Sequence, residues 1–201
     1  MRARSTLYAT FFKPLMDRVG AFVSLIVCFP LLMLIMVINA IVHRGSPFFF
    51  QMRAGRAEKL FYLIKFRSYL KDGDGSSITS FGSFLRKTSL DELPQLLNIL
   101  RGDMSFVGPR PLLVSYLTFY NEREKQRHLL KPGLTGLSQI KLGSTNDWEE
   151  RLEQDVRYVE SLSLMLDVRI LLVTLFQVVI PSKRPSESRD LVPFDQYAEN
   201  R

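Results

Sequence analysis

The sequence predicts an α+β domain, mostly helical, carried by an N-terminal membrane helix. Three observations predict it: a long uncharged apolar run near the N-terminus, apolar residues at helical spacing through most of the remaining chain, and one stretch of strand-like alternation beside Gly55. With 201 residues, 46% of them hydrophobic and 23% charged, the chain is sized for one main domain plus an attached segment, and its composition excludes wholesale disorder and fibrous repeats. The expected division is a membrane helix with basic flanks over 1–44, a globular domain over 45–180 and a flexible tail over 181–201.

The first element is set by Val19 to Val42, which contains no charged residue and exceeds the roughly 20 residues that cross a hydrocarbon core. It is too long for the apolar part of a cleavable signal, and no small-residue cleavage site comes after it. Pro30 falls in its middle, where it removes the helix hydrogen bond to Ile26 and predicts a kink. Basic residues stand on both sides, with Arg2, Arg4, Lys13 and Arg18 before the run and Arg44, Arg53, Arg56 and Lys59 after it, so the positive-inside rule pulls both flanks toward the cytoplasm. Half-helices of about 12 residues are about 18 Å long and reach only partway through a core of about 30 Å. A helix-break-helix that enters and leaves one leaflet satisfies both facts, and a bent full span remains the alternative.

Pro47 to Tyr69 alternates aromatic and basic residues and predicts a short hairpin around Gly55. Residues 71–77, KDGDGSS, read as a flexible loop. Phe81 to Leu100 reads as helical pieces interrupted near Ser89–Pro94, and residues 101–111, RGDMSFVGPRP, as an ordered loop or extended segment. Tyr116 to Leu130 reads as a surface helix, and residues 131–136, KPGLTG, as a turn. Trp148–Ser161 predicts an amphipathic helix. Ser163–Val179 predicts another that is apolar nearly all round, hence buried or laid against lipid. From Pro181 the composition is that of a frayed tail.

A formal net charge of +7 calls for an anionic partner: nucleic acid, an acidic bilayer face or a phosphorylated substrate. The single cysteine, Cys28, lies in the apolar run and excludes an internal disulfide. His43 and His128 stand alone, and no CxxC or His-rich metal box exists. The chemistry-bearing pattern is Asp91-Glu92, placed by Pro94 at the start of a helix. One reading is a cap, with Asp91 as N-cap or Ser89 and Glu92 as a capping box. The other is a carboxylate facing a phosphate held at the helix N-terminus. Adjacent helical residues diverge, so at most one of the pair aims at a given phosphorus. Arg110, between Pro109 and Pro111, is held extended in a way that suits bidentate phosphate binding, or is a surface arginine in a proline turn.

LIKFRS (63–68), SLDELPQLLNILRGDMSFVGPRP (89–111), KPGLTGLSQ (131–139) and DWEERLEQDVRYVESLSLMLDVRILL (147–172) closely resemble the bacterial sugar transferases, the monotopic phosphoglycosyl transferases. The resemblance runs from about Lys13 to Val179. It implies transfer of a phospho-sugar from a UDP-sugar to undecaprenyl or another polyprenyl phosphate, with release of UMP, in the first membrane step of capsule, O-antigen, exopolysaccharide or N-glycan assembly. It implies a monotopic protein of the bacterial inner membrane, its re-entrant helix hinged at Pro30, its amphipathic helices at the interface of one leaflet and its catalytic domain facing the cytoplasm. By the same resemblance Asp91 and Glu92 form the catalytic dyad, with Asp91 as nucleophile and Mg²⁺, or Mn²⁺ in its place, bound beside it. Lys65 and Arg110 match the phosphate-binding cations. Asp155 and Asp167 match acidic positions of later helices and are read as structural.

The chemistry agrees with this, since a carboxylate is ionised at pH 7 and needs no general base to attack phosphorus. Many relatives carry Asn-Gly-Arg after the glutamine that matches Gln139, whereas this chain reads KLG at 141–143, leaving Lys141 as the available basic group. Two rivals stay open: a non-catalytic, membrane-anchored basic binding module, and a membrane glycosyltransferase that moves the sugar alone and releases UDP. No nucleic-acid-reading motif is present. A homodimer is neither required nor excluded by the sequence.

Overall fold

The computed structural model describes residues 7–70, 77–143, 147–180 and 194–199. The loop expected at 71–77 lies outside the described residues except for Ser77, as do Arg2, Arg4 and most of the tail.

Helix α1 spans Lys13–Val42, continues from a π-helical turn Tyr8–Phe12, and is long and apolar enough to cross a membrane. Helical structure is unbroken from end to end with Pro30 inside it, so the two separate half-helices expected from the proline are one element. A single stripe faces the rest of the protein: Lys13, Asp17, Ala21 and Leu25, then Leu32, Ile35, Met36 and Asn39. Steps of three and four keep these residues on one face. The fully buried Asn39 closes the stripe, its Nδ2 donating to the carbonyls of Pro47 at 2.7 Å and Arg67 at 3.0 Å. Away from the stripe, Phe22, Val27, Phe29, Leu34 and Ile41 are all more than half exposed. That apolar surface is out of place in water and fits lipid.

Strands β1 (Phe48–Ala54) and β2 (Leu60–Phe66) form the expected antiparallel hairpin, running from the pair Phe48–Phe66 to Ala54–Leu60. Gly55 donates its N–H to the carbonyl of Lys59 and closes the turn. Helix α2 (Ser80–Thr88) is capped by Thr79, whose hydroxyl accepts from the N–H of Gly82 at 2.8 Å. Helix α3 (Gln95–Arg101) packs on α1 and β2. Its fully buried Asn98 acts as a piece of strand, accepting from the N–H of Ile64 and donating to the carbonyl of Tyr62. This fixes β2, and therefore Lys65, against α3.

A second sheet was not expected. Strand β3 (Ser105–Val107) pairs in parallel with β4 (Gly133–Thr135), inside segments read from sequence as an ordered loop or extended segment and as a turn. The two backbones approach so closely that a Cβ on Gly108 would sit 2.4 Å from the carbonyl oxygen of Lys131, and one on Gly133 would sit 2.1 Å from the nitrogen of Gly108. Those two glycines are spacing requirements of the pair.

Residues 116–130 do not form the expected surface helix. They form 3-10 segments at Val114–Phe119 and Glu124–Leu129, and Glu124, Arg127 and His128 are buried. The cause is a reciprocal cap: Asn121 Oδ1 accepts from the N–H of Glu124, and Glu124 Oε2 accepts from the N–H of Asn121, both at 2.9 Å. Helices α4 (Leu137–Leu142), α5 (Trp148–Glu160) and α6 (Leu164–Val179) complete the domain. Helix α6 buries Ile170 and exposes Met165, Leu172, Leu175 and Phe176 by 60% or more, a second lipid-compatible face beside that of α1.

The flexible tail expected over 181–201 does not extend unchanged to its end. Residues Phe194–Glu199 form a short helix, α7, whose fully buried Phe194 lies among Tyr116, Tyr120 and Trp148. One aromatic ring in a prepared aromatic socket outweighs the local composition.

Candidate active site

The Asp91-Glu92 pair lies outside any long helix. Helix α2 ends at Ser89, which adopts a left-handed conformation with φ of 58° and reverses the chain into a 3-10 turn over Leu90–Glu92. Leu90 and Leu93 pack into the apolar clusters on either side and pin that turn. Helix α3 starts only at Gln95, with Pro94 before it, so the helix expected to begin near Asp91 begins four residues later. Neither cap reading describes the pair. Ser89 makes no side-chain cap to the turn, and the Glu92 carboxylate is turned toward cations.

Glu92 Oε1 accepts from Lys65 Nζ at 2.7 Å and Arg110 Nη2 at 3.4 Å. Burial pushes the Glu92 carboxyl up, but Arg110 and Lys65 overcome it and hold the group down at about 2. Asp91 is 8% exposed, and its environment works the other way. Burial, reinforced by the neighbouring charge of Glu92, prevails over Lys65, Arg86 and Arg110, and pushes the Asp91 carboxyl up to about 6. Those cations act on Asp91 through space, while the close contacts converge on Glu92. Two adjacent carboxylates are thus made unlike: one neutralised and gripped, the other ionised at pH 7 and left without such a grip.

Arg110 is positioned from behind. Its carbonyl oxygen accepts from Arg127 Nη2 at 2.6 Å, and Arg127 itself is 2% exposed and paired with Asp155 at 2.6 Å. Asp155 Oδ1 also accepts from Ser138 Oγ at 2.7 Å. Sequence reasoning gave Arg127 no role, because it treated residues 116–130 as one surface helix. The Asn-x-x-Glu spacing of Asn121 and Glu124 was the available signal.

Of the residues singled out from sequence, Asp91, Glu92, Lys65 and Arg110 therefore come together. Asp155 stands one layer back. Asp167 is elsewhere, accepting from Lys13 Nζ at 2.6 Å, Tyr8 Oη at 2.5 Å and Tyr158 Oη at 2.7 Å, where it fastens the start of α1 to α5 and α6. Lys141 donates to Gln154 Oε1 at 2.8 Å and does not reach the dyad. Pro30 lies within the lipid-compatible part of α1.

No group of three or more His, Cys, Asp or Glu able to hold a metal occurs among the described residues. With Glu92 committed to Lys65 and Arg110, the available donor is Asp91. One hard carboxylate oxygen suits Mg²⁺, which ordinarily binds through one or two carboxylates and completes its shell with substrate phosphates and water.

In comparison with known proteins, residues 8–181 match the profile of the bacterial sugar transferase family. The uncharacterized sugar transferase EpsL of Bacillus subtilis is 41% identical over 177 residues, covering 84% of this chain and 87% of that protein. The UDP-glucose:undecaprenyl-phosphate glucose-1-phosphate transferase of Xanthomonas campestris pv. campestris is 39% identical over 186 residues, covering 83% of this chain and 38% of that protein. The galactosyl transferase CpsE of Streptococcus agalactiae is 38% identical over 192 residues, covering 84% of this chain and 42% of that protein. The chain thus spans most of the first relative and about two fifths of the other two.

Proposed function

The chain belongs to the bacterial sugar transferase family, and from that premise we propose that it moves a phospho-sugar from a UDP-sugar to undecaprenyl or another polyprenyl phosphate, releasing UMP. The observation that carries this reading is the unlike pair: Glu92 neutralised by Lys65 and Arg110, and Asp91 buried beside it, ionised at neutral pH and without a close cation.

An Asp91 carboxylate oxygen attacks the phosphorus that bears the sugar. The bond from that phosphorus to the bridging oxygen breaks, and UMP leaves with the electron pair. A phosphate oxygen of the lipid then attacks the same phosphorus, and the Asp91 carboxylate leaves unchanged. The obstacle is repulsion, since one carboxylate charge against one phosphate charge at 4 Å costs about 4 kcal/mol at an effective dielectric of 20. Lys65 and Arg110 offset it, and their hold on Glu92 keeps that second negative charge from adding to it. Asp91 would hold a Mg²⁺ ion, which would supply further charge neutralisation.

Membrane geometry supports the same reading. Lys13–Leu25 and Leu32–Asn39 of α1 both dock on the one globular domain, which supports a reading with both ends of the helix on one side of the bilayer. On this reading the helix lies in a single leaflet, with its lipid-facing side around Pro30 and the basic flanks and the dyad toward the cytoplasm. The lipid-compatible faces of α1 and α6 then bring the dyad to the depth of a lipid phosphate.

The test is the identity of the nucleotide product. Purified protein in lipid nanodiscs, given Mg²⁺, a panel of UDP-sugars and polyprenyl phosphate, is expected to release UMP with at least one of them. Release of UDP would replace the reading with sugar transfer alone. No nucleotide release from any donor would leave a binding module.

A further inference from the structure

Two more arginines stand against the Arg110 loop, and neither has a part in the transfer steps at the dyad. Arg53, on β1, reaches the carbonyl oxygen of Pro111 with Nη1 at 3.4 Å and Gln51 Oε1 with Nη2. Arg151, on α5, lies 5.7 Å over the ring of Trp148 and donates Nη2 to the carbonyl of Gly143 at 2.6 Å. Trp148 packs in the cluster that includes Leu112 and Leu113, so Arg151 stands beside the chain that leaves Pro111. Neither guanidinium pairs with a carboxylate among the described residues. In each the Nε atom is buried with no hydrogen-bond partner. A buried donor left unpaired is costly, and two of them around one loop mark a place where an acceptor belongs.

The electrostatics agree. Burial pushes Arg53 down to about 10 and Arg151 below its ordinary value, and in both the next cause is repulsion from Arg110. Four guanidiniums surround this loop: Arg127 is paired with Asp155 and Arg110 contacts Glu92, while Arg53 and Arg151 have no close carboxylate among the described residues. An anion carrying several oxygens would satisfy the orphaned donors and remove the repulsion together.

We propose that Arg53 and Arg151 form, with Arg110, a second phosphate subsite that holds the nucleotide phosphate of the donor, the group that leaves. The proposal rests on the phospho-sugar transfer reading and extends it. Arg110 bridges the two subsites: on one side it contacts Glu92 at the dyad, where the transferred phosphorus reacts, and on the other it neighbours Arg53 and Arg151. The proposal places one phosphorus of the donor diphosphate on each side of Arg110. The leaving phosphate gains negative charge as its bond breaks, so fixed cations there act more strongly in the transition state than in the bound donor.

The experiment measures UMP and uridine binding to full-length Asp91→Asn protein in nanodiscs of neutral lipid, where no turnover occurs, with and without Arg53→Gln or Arg151→Gln. Each added change is expected to weaken UMP binding about tenfold or more and to leave uridine binding within about twofold. In the otherwise wild-type enzyme each is expected to raise KM for the UDP-sugar and to leave KM for polyprenyl phosphate within about twofold. Arg53→Lys and Arg151→Lys keep the charge and are expected to recover part of the loss, which guards against a variant that fails to fold. Unchanged UMP affinity, equal loss of UMP and uridine binding, or an effect confined to the lipid phosphate would each overturn the proposal. The wild-type product assay judges the reaction itself, so the two ideas fail separately.

Discussion

Asp91 and Asp167 are both buried aspartates, and they are treated in opposite ways. Asp167 receives three short contacts, from Lys13, Tyr8 and Tyr158, and fastens the membrane helix to the domain. Asp155 belongs to the same kind, with Arg127 and Ser138 on its oxygens. Asp91 is as well covered as these, yet the close cations beside it go to Glu92. The difference separates saturated structural carboxylates from the one to which the proposed chemistry is assigned. A saturated carboxylate spends its lone pairs on the fold. A buried carboxylate that the fold leaves ungripped keeps them available, at a cost in stability.

The comparison breaks most visibly under amide substitution. Asp91→Asn should lower steady-state turnover by about three orders of magnitude or more, because an amide oxygen does not replace the nucleophile. The same change should raise the melting temperature in chelator. Raising the carboxyl from its ordinary value near 4 to about 6 corresponds to about 3 kcal/mol against the ionised folded state at neutral pH, and Asn removes that charge. A structural role for Asp91 predicts the reverse on both counts.

Asp155→Ala and Asp167→Ala should instead unfold the protein more easily, by about 3–5 kcal/mol each, since each strands a buried cation, Arg127 or Lys13. Thermal melts in nanodiscs measure this. His128 sharpens the contrast through pH. Burial, then Arg127, pushes it down to about 4, so it is neutral in the folded protein. The stability tied to its neutrality is complete above about 6.5 and is lost as pH falls toward 4, up to about 3 kcal/mol in all. His128→Gln should flatten the part of the acid-side melting profile that lies between those values. The smallest effect belongs to the exposed pair Arg123 and Glu153, where Arg123→Ala should barely change the melting temperature and leave activity unchanged.

Much of this architecture was legible in the residues, and the exceptions have physical causes. The β1–β2 hairpin could be read because seven-residue strands alternate long enough to show a period and their pairing is local. The β3–β4 pair could not, because three-residue strands carry no period and parallel pairing joins distant segments. Its only trace in sequence was Gly108 and Gly133, which read as loop residues. Helix α1 was legible from composition, yet its docking stripe passes through Lys13, Asp17 and Asn39, polar residues whose partners are up to 154 positions away. Asp91, Glu92, Lys65 and Arg110, which the fold brings together, were singled out through motifs. The asymmetry between the two carboxylates was not, because it depends on which of them the cations touch. Arg53 and Arg151 were invisible as site residues for the same reason, being ordinary arginines until folding crowds them against Arg110.

The central claim is that the Asp91 oxygen bonds to phosphorus, and intact-protein mass spectrometry reads it directly. Wild-type protein mixed with a UDP-sugar it accepts, with Mg²⁺ and no lipid acceptor, should gain the mass of one sugar phosphate on the peptide that contains Asp91, with one UMP released per protein. Addition of polyprenyl phosphate should remove the added mass, and Asp91→Asn protein should never gain it. An unmodified wild-type protein that nonetheless turns over once lipid is supplied would contradict the account.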